Sequence, residues 1–136
     1  MIAQIKALWD ELKNRGTSFE INSYSIGTST RASYQRINPP ENTLIKNKGN
    51  CLELTLIFAS ALEKLSLEPL IILVDEHAFL GCKIDDKNTV YLETTYIEYR
   101  SFGQALKKGR EEYDTDGWKK EIIISDCRKK GLNPLF

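Results

Sequence analysis

The chain has 136 residues, of which 41% are hydrophobic and 28% charged, a composition typical of a folded globular domain and unlike that of a disordered segment. Its 19 basic and 19 acidic side chains cancel, so charge gives no reason to expect a nucleic acid or an anionic membrane as a partner. No apolar run approaches the roughly 18 residues that a membrane-spanning helix needs. We therefore expect a single domain over residues 1–136.

The cysteine content predicts free thiols rather than disulfides. Cys51, Cys82 and Cys127 are an odd number. Residues 1–14 lack the basic start and continuous apolar stretch of a signal peptide. Disulfide frameworks belong mainly to exported chains with paired cysteines, so we expect a cytoplasmic protein. We also expect that it needs no cofactor.

The first predicted element is an amphipathic helix that ends before Gly16. Its apolar residues recur at steps of three and four, at Ile2, Ile5, Leu8, Trp9 and Leu12. Residues 18–35 mix small polar and apolar residues and predict extended or irregular chain. The pair Pro39-Pro40 then predicts a turn.

A long helix is predicted from Cys51 to Leu65. Asn50 is a favourable N-cap residue and Glu53 follows three residues later, as in a capping box. Apolar residues surround most of the helix circumference, which is typical of a central, buried helix.

Antiparallel strands follow this helix. Residues 70–74 form a continuous apolar strand, residues 77–84 a second strand and residues 89–94 a third, with polar turns between them. Ser101 is predicted to cap a helix that ends near Tyr113. Residues 122–124 are predicted to form a last strand, and residues 126–136 a surface tail. This order predicts an α+β fold with a central buried helix packed against an antiparallel sheet.

Cys51 is the candidate nucleophile because it opens the predicted buried helix. The positive end of the helix dipole and the free N–H groups of the first turn favour a thiolate there. The same N–H groups can hold a developing oxyanion. A small buried core residue is the alternative role for this cysteine.

His77 and Glu93 are the candidate partners of Cys51. His77 is the only histidine, and imidazole can both accept and return a proton near neutral pH. Glu93 is predicted on the strand next to that of His77, where a carboxylate can hold the imidazole in one tautomer. Solvated, inactive side chains at strand positions are the alternative for both residues.

A metal site is a rival assembly of the same side chains. Its ligands would be Cys51, His77, Cys82 and Glu93. Zinc sites usually contain closely paired ligands such as C-x₂-C, and this chain has no such pair, so we expect no metal. Cys82 and Cys127 are expected to be structural or incidental.

Residues 34–135 resemble the transglutaminase-like branch of the papain-related superfamily, and within it a bacterial subgroup in which this domain occurs alone or joined to larger proteins. The resemblance is carried chiefly by Gly49-Asn50-Cys51-Leu52-Glu53, His77-Ala78-Phe79 and Leu92-Glu93-Thr94. It implies a papain-like core in which Cys51 is the nucleophile, His77 the acid–base and Glu93 the orienting group. Many members of the superfamily carry aspartate at the third position, and glutamate is one methylene longer.

The resemblance also implies a side-chain donor upstream of the cysteine that helps to hold the oxyanion. Tyr34 and Gln35 are the candidates because each can donate a hydrogen bond, and packing or capping is their alternative role. The expected activity is acyl transfer from, or hydrolysis of, an amide bond in a protein or peptide substrate. A non-catalytic protein-binding module on the same fold is the alternative function.

Overall fold

The computed structural model describes residues 2–21, 38–115 and 117–131. The helices are α1 (Ile2–Asn14), α2 (Pro40–Lys46), α3 (Cys51–Lys64), a 3₁₀ helix (Thr94–Ile97), α4 (Phe102–Thr115) and α5 (Ile124–Lys129). The strands are β1 (Ser18–Phe19), β2 (Lys48–Gly49), β3 (Glu68–Val74), β4 (His77–Lys83), β5 (Thr89–Leu92) and β6 (Lys119–Ile123).

The main sheet has four strands in the order β5-β4-β3-β6, and every neighbouring pair is antiparallel. Strands β3 and β4 form a hairpin in which Val74 lies opposite His77, so His77 is the first residue after the turn. Strands β1 and β2 form a separate short parallel pair. The antiparallel sheet with its helices is compatible with the predicted α+β class.

Two apolar clusters pack against the sheet. The larger cluster joins α1, α3 and α4 to one set of strand residues and contains Trp9, Phe58, Leu62, Leu80, Leu92 and Phe102, among others. The smaller cluster is made by Leu70, Ile72, Val74, Phe79 and Tyr91, with Tyr113 and Ile123 at its edge. Because side chains alternate along a strand, consecutive residues of β4 and β5 contribute to opposite clusters.

Helix α3 is central, as predicted, and only Lys64 among its residues is exposed. The predicted capping box is confirmed: Glu53 N–H donates to Asn50 Oδ1 at 2.8 Å, and Asn50 N–H donates to Glu53 Oε1 at 3.0 Å. The other carboxylate oxygen of Glu53 accepts from Asn38 N–H at 2.8 Å. Through these hydrogen bonds the buried Glu53 side chain holds the backbone of Asn38 and Asn50. It therefore fixes the chain immediately before Cys51, the first residue of α3.

Several boundaries differ from those predicted. Pro40 is not in a turn but begins α2, since a proline tolerates the first helical position, where its missing N–H has no partner. Strand β5 ends at Leu92, and Glu93 caps the 3₁₀ helix instead of continuing the strand. Part of the predicted surface tail forms α5, and residues 132–136 lie outside the described residues.

Gly109 allows α4 to lie directly on β5. A Cβ atom at this position would come within 2.6 Å of the Tyr91 carbonyl carbon and 2.7 Å of the Leu92 nitrogen. Glu93 N–H also donates to the Ala105 carbonyl at 3.0 Å, which ties the end of the strand to the same helix. The helix face that carries Ala105 and Gly109 therefore lies against the backbone next to Glu93.

Within residues 2–21, 38–115 and 117–131, no helix has both the length and the apolar character required to cross a membrane.

We expect Gly109→Ala to lower the free energy of unfolding by about 1–3 kcal/mol, because the new methyl group must displace backbone rather than a flexible side chain. Gly103→Ala is the matched control near the start of the same helix. Its Cβ would have nothing closer than Ser101 Oγ at 4.0 Å, so it should be neutral or slightly stabilising. Urea unfolding followed by circular dichroism measures both, and equal effects would contradict this close approach.

Candidate functional site

Cys51 is the first residue of α3 and is half-buried. The residues before it are held tightly, since a Cβ atom on Gly49 would lie 2.8 Å from Thr43 and 3.0 Å from Glu53. N–H groups in the first turn of a helix have no acceptor within the helix, and the helix dipole places positive potential at the same end. The local sequence therefore presents a thiol where an anion is favoured.

His77 lies between Cys51 and Glu93. Its Nε2 atom is 2.6 Å from Glu93 Oε1, and the Cys51 side chain is close enough to the ring to raise its pKa. Since Nε2 is taken by Glu93, Nδ1 is the nitrogen that remains for the thiol. The structure thus brings the three predicted side chains together, in the order thiol, imidazole, carboxylate.

The electrostatics of the site favour a charged imidazole. Burial opposes the charge on His77, but hydrogen bonds and negative charge from Cys51 and Glu93 outweigh it and raise the pKa of His77 to about 10. For Glu93, burial favours the neutral acid, but the hydrogen bond with His77 prevails and lowers the pKa of the carboxyl. The pair is therefore an imidazolium and a carboxylate at neutral pH.

Both oxygens of Glu93 are held. Oε1 contacts His77, while Oε2 accepts from Thr95 Oγ1 at 2.6 Å and from Thr95 N–H at 3.2 Å. The next residue, Thr94, is hydrogen-bonded to Thr55 on α3 through their hydroxyls at 3.2 Å. Because Thr55 also donates to the Cys51 carbonyl at 2.7 Å, the thiol-bearing turn is connected directly to the segment that carries Glu93.

Sequence reasoning missed a fourth side chain at the site, Glu112 on α4. Its Oε2 atom lies 3.7 Å from His77 Nε2, is buried, and has no hydrogen-bond partner among the described residues. Burial and the neighbouring Glu93 carboxylate raise the pKa of Glu112 to about 8. A sequence signal existed, since Ala105, Gly109 and Glu112 follow the helical spacing of four and three that places residues on one face.

His77, Glu93 and Glu112 also offer three ligand atoms within 4.8 Å of one another, the arrangement in which a metal could be held. Two ligands of a tetrahedral zinc ion at about 2.0–2.1 Å lie roughly 3.3 Å apart. The His77–Glu93 separation of 2.6 Å is that of a hydrogen bond, so a metal would have to push these two groups apart. These ligands differ from the alternative metal site considered from the sequence, which included Cys82. Cys82 lies in the core cluster on the other side of β4 from His77.

The remaining site predictions have other outcomes. Tyr34 and Gln35, the candidate oxyanion donors, lie outside the described residues. Cys82 is buried, and Cys127 is half-buried on α5. An apolar cavity of about 500 Å³ lies between α1, α2 and α3, and neither Cys51 nor His77 nor Glu93 lines it.

Comparisons with known proteins gave no significant match: no family model, no curated protein and no solved structure.

Because His77 is the only histidine, its ring signals in an NMR titration are assigned without mutation. We expect them to titrate near pH 10 in the folded protein, and we expect Glu93→Gln, which removes the charge but keeps the size, to bring the pKa down towards about 6.5. A folded-state pKa above the unfolded value means that the contribution of His77 to stability is complete below about pH 6.5 and is lost as the pH rises towards 10. A ring that titrates near 6.5 in the wild-type protein would contradict this description of the site.

Proposed function

We propose that the protein is a cysteine-dependent hydrolase or acyltransferase that acts on an amide bond of a protein or peptide. The observation that carries this proposal is the position of His77. Its Nε2 atom is hydrogen-bonded to Glu93, so its Nδ1 atom is available to the Cys51 thiol. A thiol at the head of a helix, an imidazole and an orienting carboxylate are the three parts of an activated cysteine nucleophile.

In the proposed reaction His77 already holds the thiol proton as an imidazolium, and the Cys51 thiolate attacks the carbonyl carbon of the amide. The tetrahedral intermediate collapses when His77 returns the proton to the departing nitrogen, which leaves an amine and a thioester on Cys51. Water or a second amine then loses a proton to His77 and attacks the thioester carbonyl. That step releases an acid or a new amide and restores the Cys51 thiolate beside the His77 imidazolium.

Glu93 is proposed to fix the tautomer and orientation of His77 and to stabilise the imidazolium. Its extra methylene relative to aspartate does not prevent contact, since Oε1 reaches Nε2 at 2.6 Å while Oε2 is anchored on Thr95. The N–H groups at the start of α3 are proposed to stabilise the oxyanion, with Gln35 or Tyr34 as the further donor.

The order of a thiol helix, a histidine strand and a carboxylate after the next strand also supports a papain-like core of the transglutaminase-like type. We propose that the chain belongs to that branch. We further propose that it acts in the cytoplasm, where free thiols such as its three cysteines persist.

A non-catalytic protein-binding module is the second candidate. The observation that favours it is the apolar cavity between α1, α2 and α3, which is lined by residues such as Leu8, Leu44 and Ile57 and excludes the three site residues. A cavity of this size and character can accept an apolar side chain of a partner.

Alkylation with iodoacetamide separates the two candidates. In mildly acidic buffer, we expect Cys51 to be modified at least about tenfold faster than an ordinary thiol, whose pKa of about 8.5 leaves little thiolate there. His77→Ala should remove this advantage. Cys127, which is also half-buried, provides the internal control when the modified peptides are identified by mass spectrometry.

Equal labelling of Cys51 and Cys127, with no effect of His77→Ala, would favour the binding module. If Cys51 is activated, incubation of a peptide library with and without a fluorescent primary amine distinguishes the reaction types. Cleaved or deamidated peptides indicate hydrolysis, and incorporation of the amine indicates transamidation. Cys51→Ala should abolish either product.

A further inference from the structure

We propose that Glu112 carries a proton at neutral pH and donates it in a hydrogen bond to Glu93, so that it acts as a positioning residue behind the imidazole. The first observation is the buried Oε2 atom of Glu112, which lacks a hydrogen-bond partner among the described residues. Its function as part of a catalytic site rests on the proposed function, whereas its protonation does not.

An ionised Glu112 would be costly in this position. Its side chain is 17% exposed, and Glu93 beside it is 2% exposed, so two negative charges would meet with little solvent between them. A carboxylate oxygen can only accept hydrogen bonds, and no described donor reaches Oε2. A proton on Oε2 turns this unsatisfied acceptor into a donor and removes one of the two charges.

The surrounding charges do not reverse this conclusion. Among the described residues, His77 on β4 is the cation nearest to Oε2, at 3.7 Å, and Glu93 already holds it at 2.6 Å. Lys108, one turn earlier on α4, is 4.0 Å from the other oxygen and 41% exposed, so solvent screens it. A further titratable neighbour is Cys51 on α3, which raises the pKa of His77 and adds negative charge when it is ionised.

The position of Glu112 depends on the close contact between α4 and β5. Gly109, one turn before Glu112, lets the helix backbone approach Tyr91 and Leu92, and Glu93 is the next residue after that strand. The next residue on the helix, Tyr113, stacks on Tyr91 with ring centroids 4.1 Å apart. These contacts fix the part of α4 that carries Glu112 against the end of β5, next to Glu93.

The proton is tested directly by NMR of protein labelled with ¹³C at the glutamate carboxyl carbons. One carboxyl signal should titrate near pH 8, disappear from the spectrum of Glu112→Gln and remain in that of Glu111→Gln. Glu111 is the matched control because it is exposed on the same helix and its substitution changes the charge equally. If every carboxyl signal titrates below about pH 5.5, the range of ordinary glutamates, the proposal is overturned.

The positioning role is tested by the rate of Cys51 alkylation at pH 7. Glu112→Ala, which removes the donor, should slow it about tenfold, as expected for the loss of one hydrogen bond to a charged group, whereas Glu112→Gln, whose amide can still donate to Glu93, should stay within about twofold of wild type. The wild-type rate should fall or change slope near pH 8, and that inflection should be absent in Glu112→Gln. Equal rates for Glu112→Ala and Glu111→Gln would overturn the positioning role.

The two proposals fail in different ways. If Cys51 reacts like an ordinary thiol while a carboxyl titrates near pH 8, the proposed enzyme is wrong and the proton on Glu112 stands. If Cys51 is activated and no carboxyl titrates near pH 8, the inference about Glu112 is wrong and the proposed function stands.

Discussion

The hydrogen-bonded ion pair between His77 and Glu93 is the interaction on which the site depends. A carboxylate that is 2% exposed is stable only if its oxygens are satisfied, and Glu93 meets this requirement with His77 on one oxygen and Thr95 on the other. The same contacts fix the imidazole ring and leave its second nitrogen for Cys51. The buried carboxylate therefore fixes the orientation of the histidine and, together with Cys51, favours its charged form.

The scaffold holds the three groups from three separate elements. The capping box of Asn50 and Glu53 fixes the start of α3, the β3–β4 turn places His77 at the head of its strand, and Glu93 follows the end of β5. A hydrogen bond between the hydroxyls of Thr55 and Thr94, and one from Glu93 N–H to the Ala105 carbonyl of α4, connect these elements. Preorganisation of this kind is what an activated nucleophile requires, because each partner must already be in place when the thiol is deprotonated.

Local patterns predicted most elements but misjudged their ends. The apolar periodicity of α1 and the capping residues of α3 and α4 are strong local signals, and all three helices are present. The Pro39-Pro40 pair predicts a turn, but a proline is equally suited to the first position of a helix, and Pro40 begins α2. The sequence pattern predicts Glu93 on the third strand, but its side chain caps the 3₁₀ helix, because Thr95 and the α4 backbone provide its hydrogen-bond partners.

Local sequence patterns were enough to predict the reactive groups: one histidine, one cysteine at the head of a capped apolar helix, and a carboxylate near the histidine strand. Helix capping and hydrophobic periodicity are local, so they can be read from neighbouring residues. That these groups meet, and that Glu112 joins them, depends on the folded chain, because strand register and the packing of α4 on β5 arise from contacts between residues far apart in the sequence.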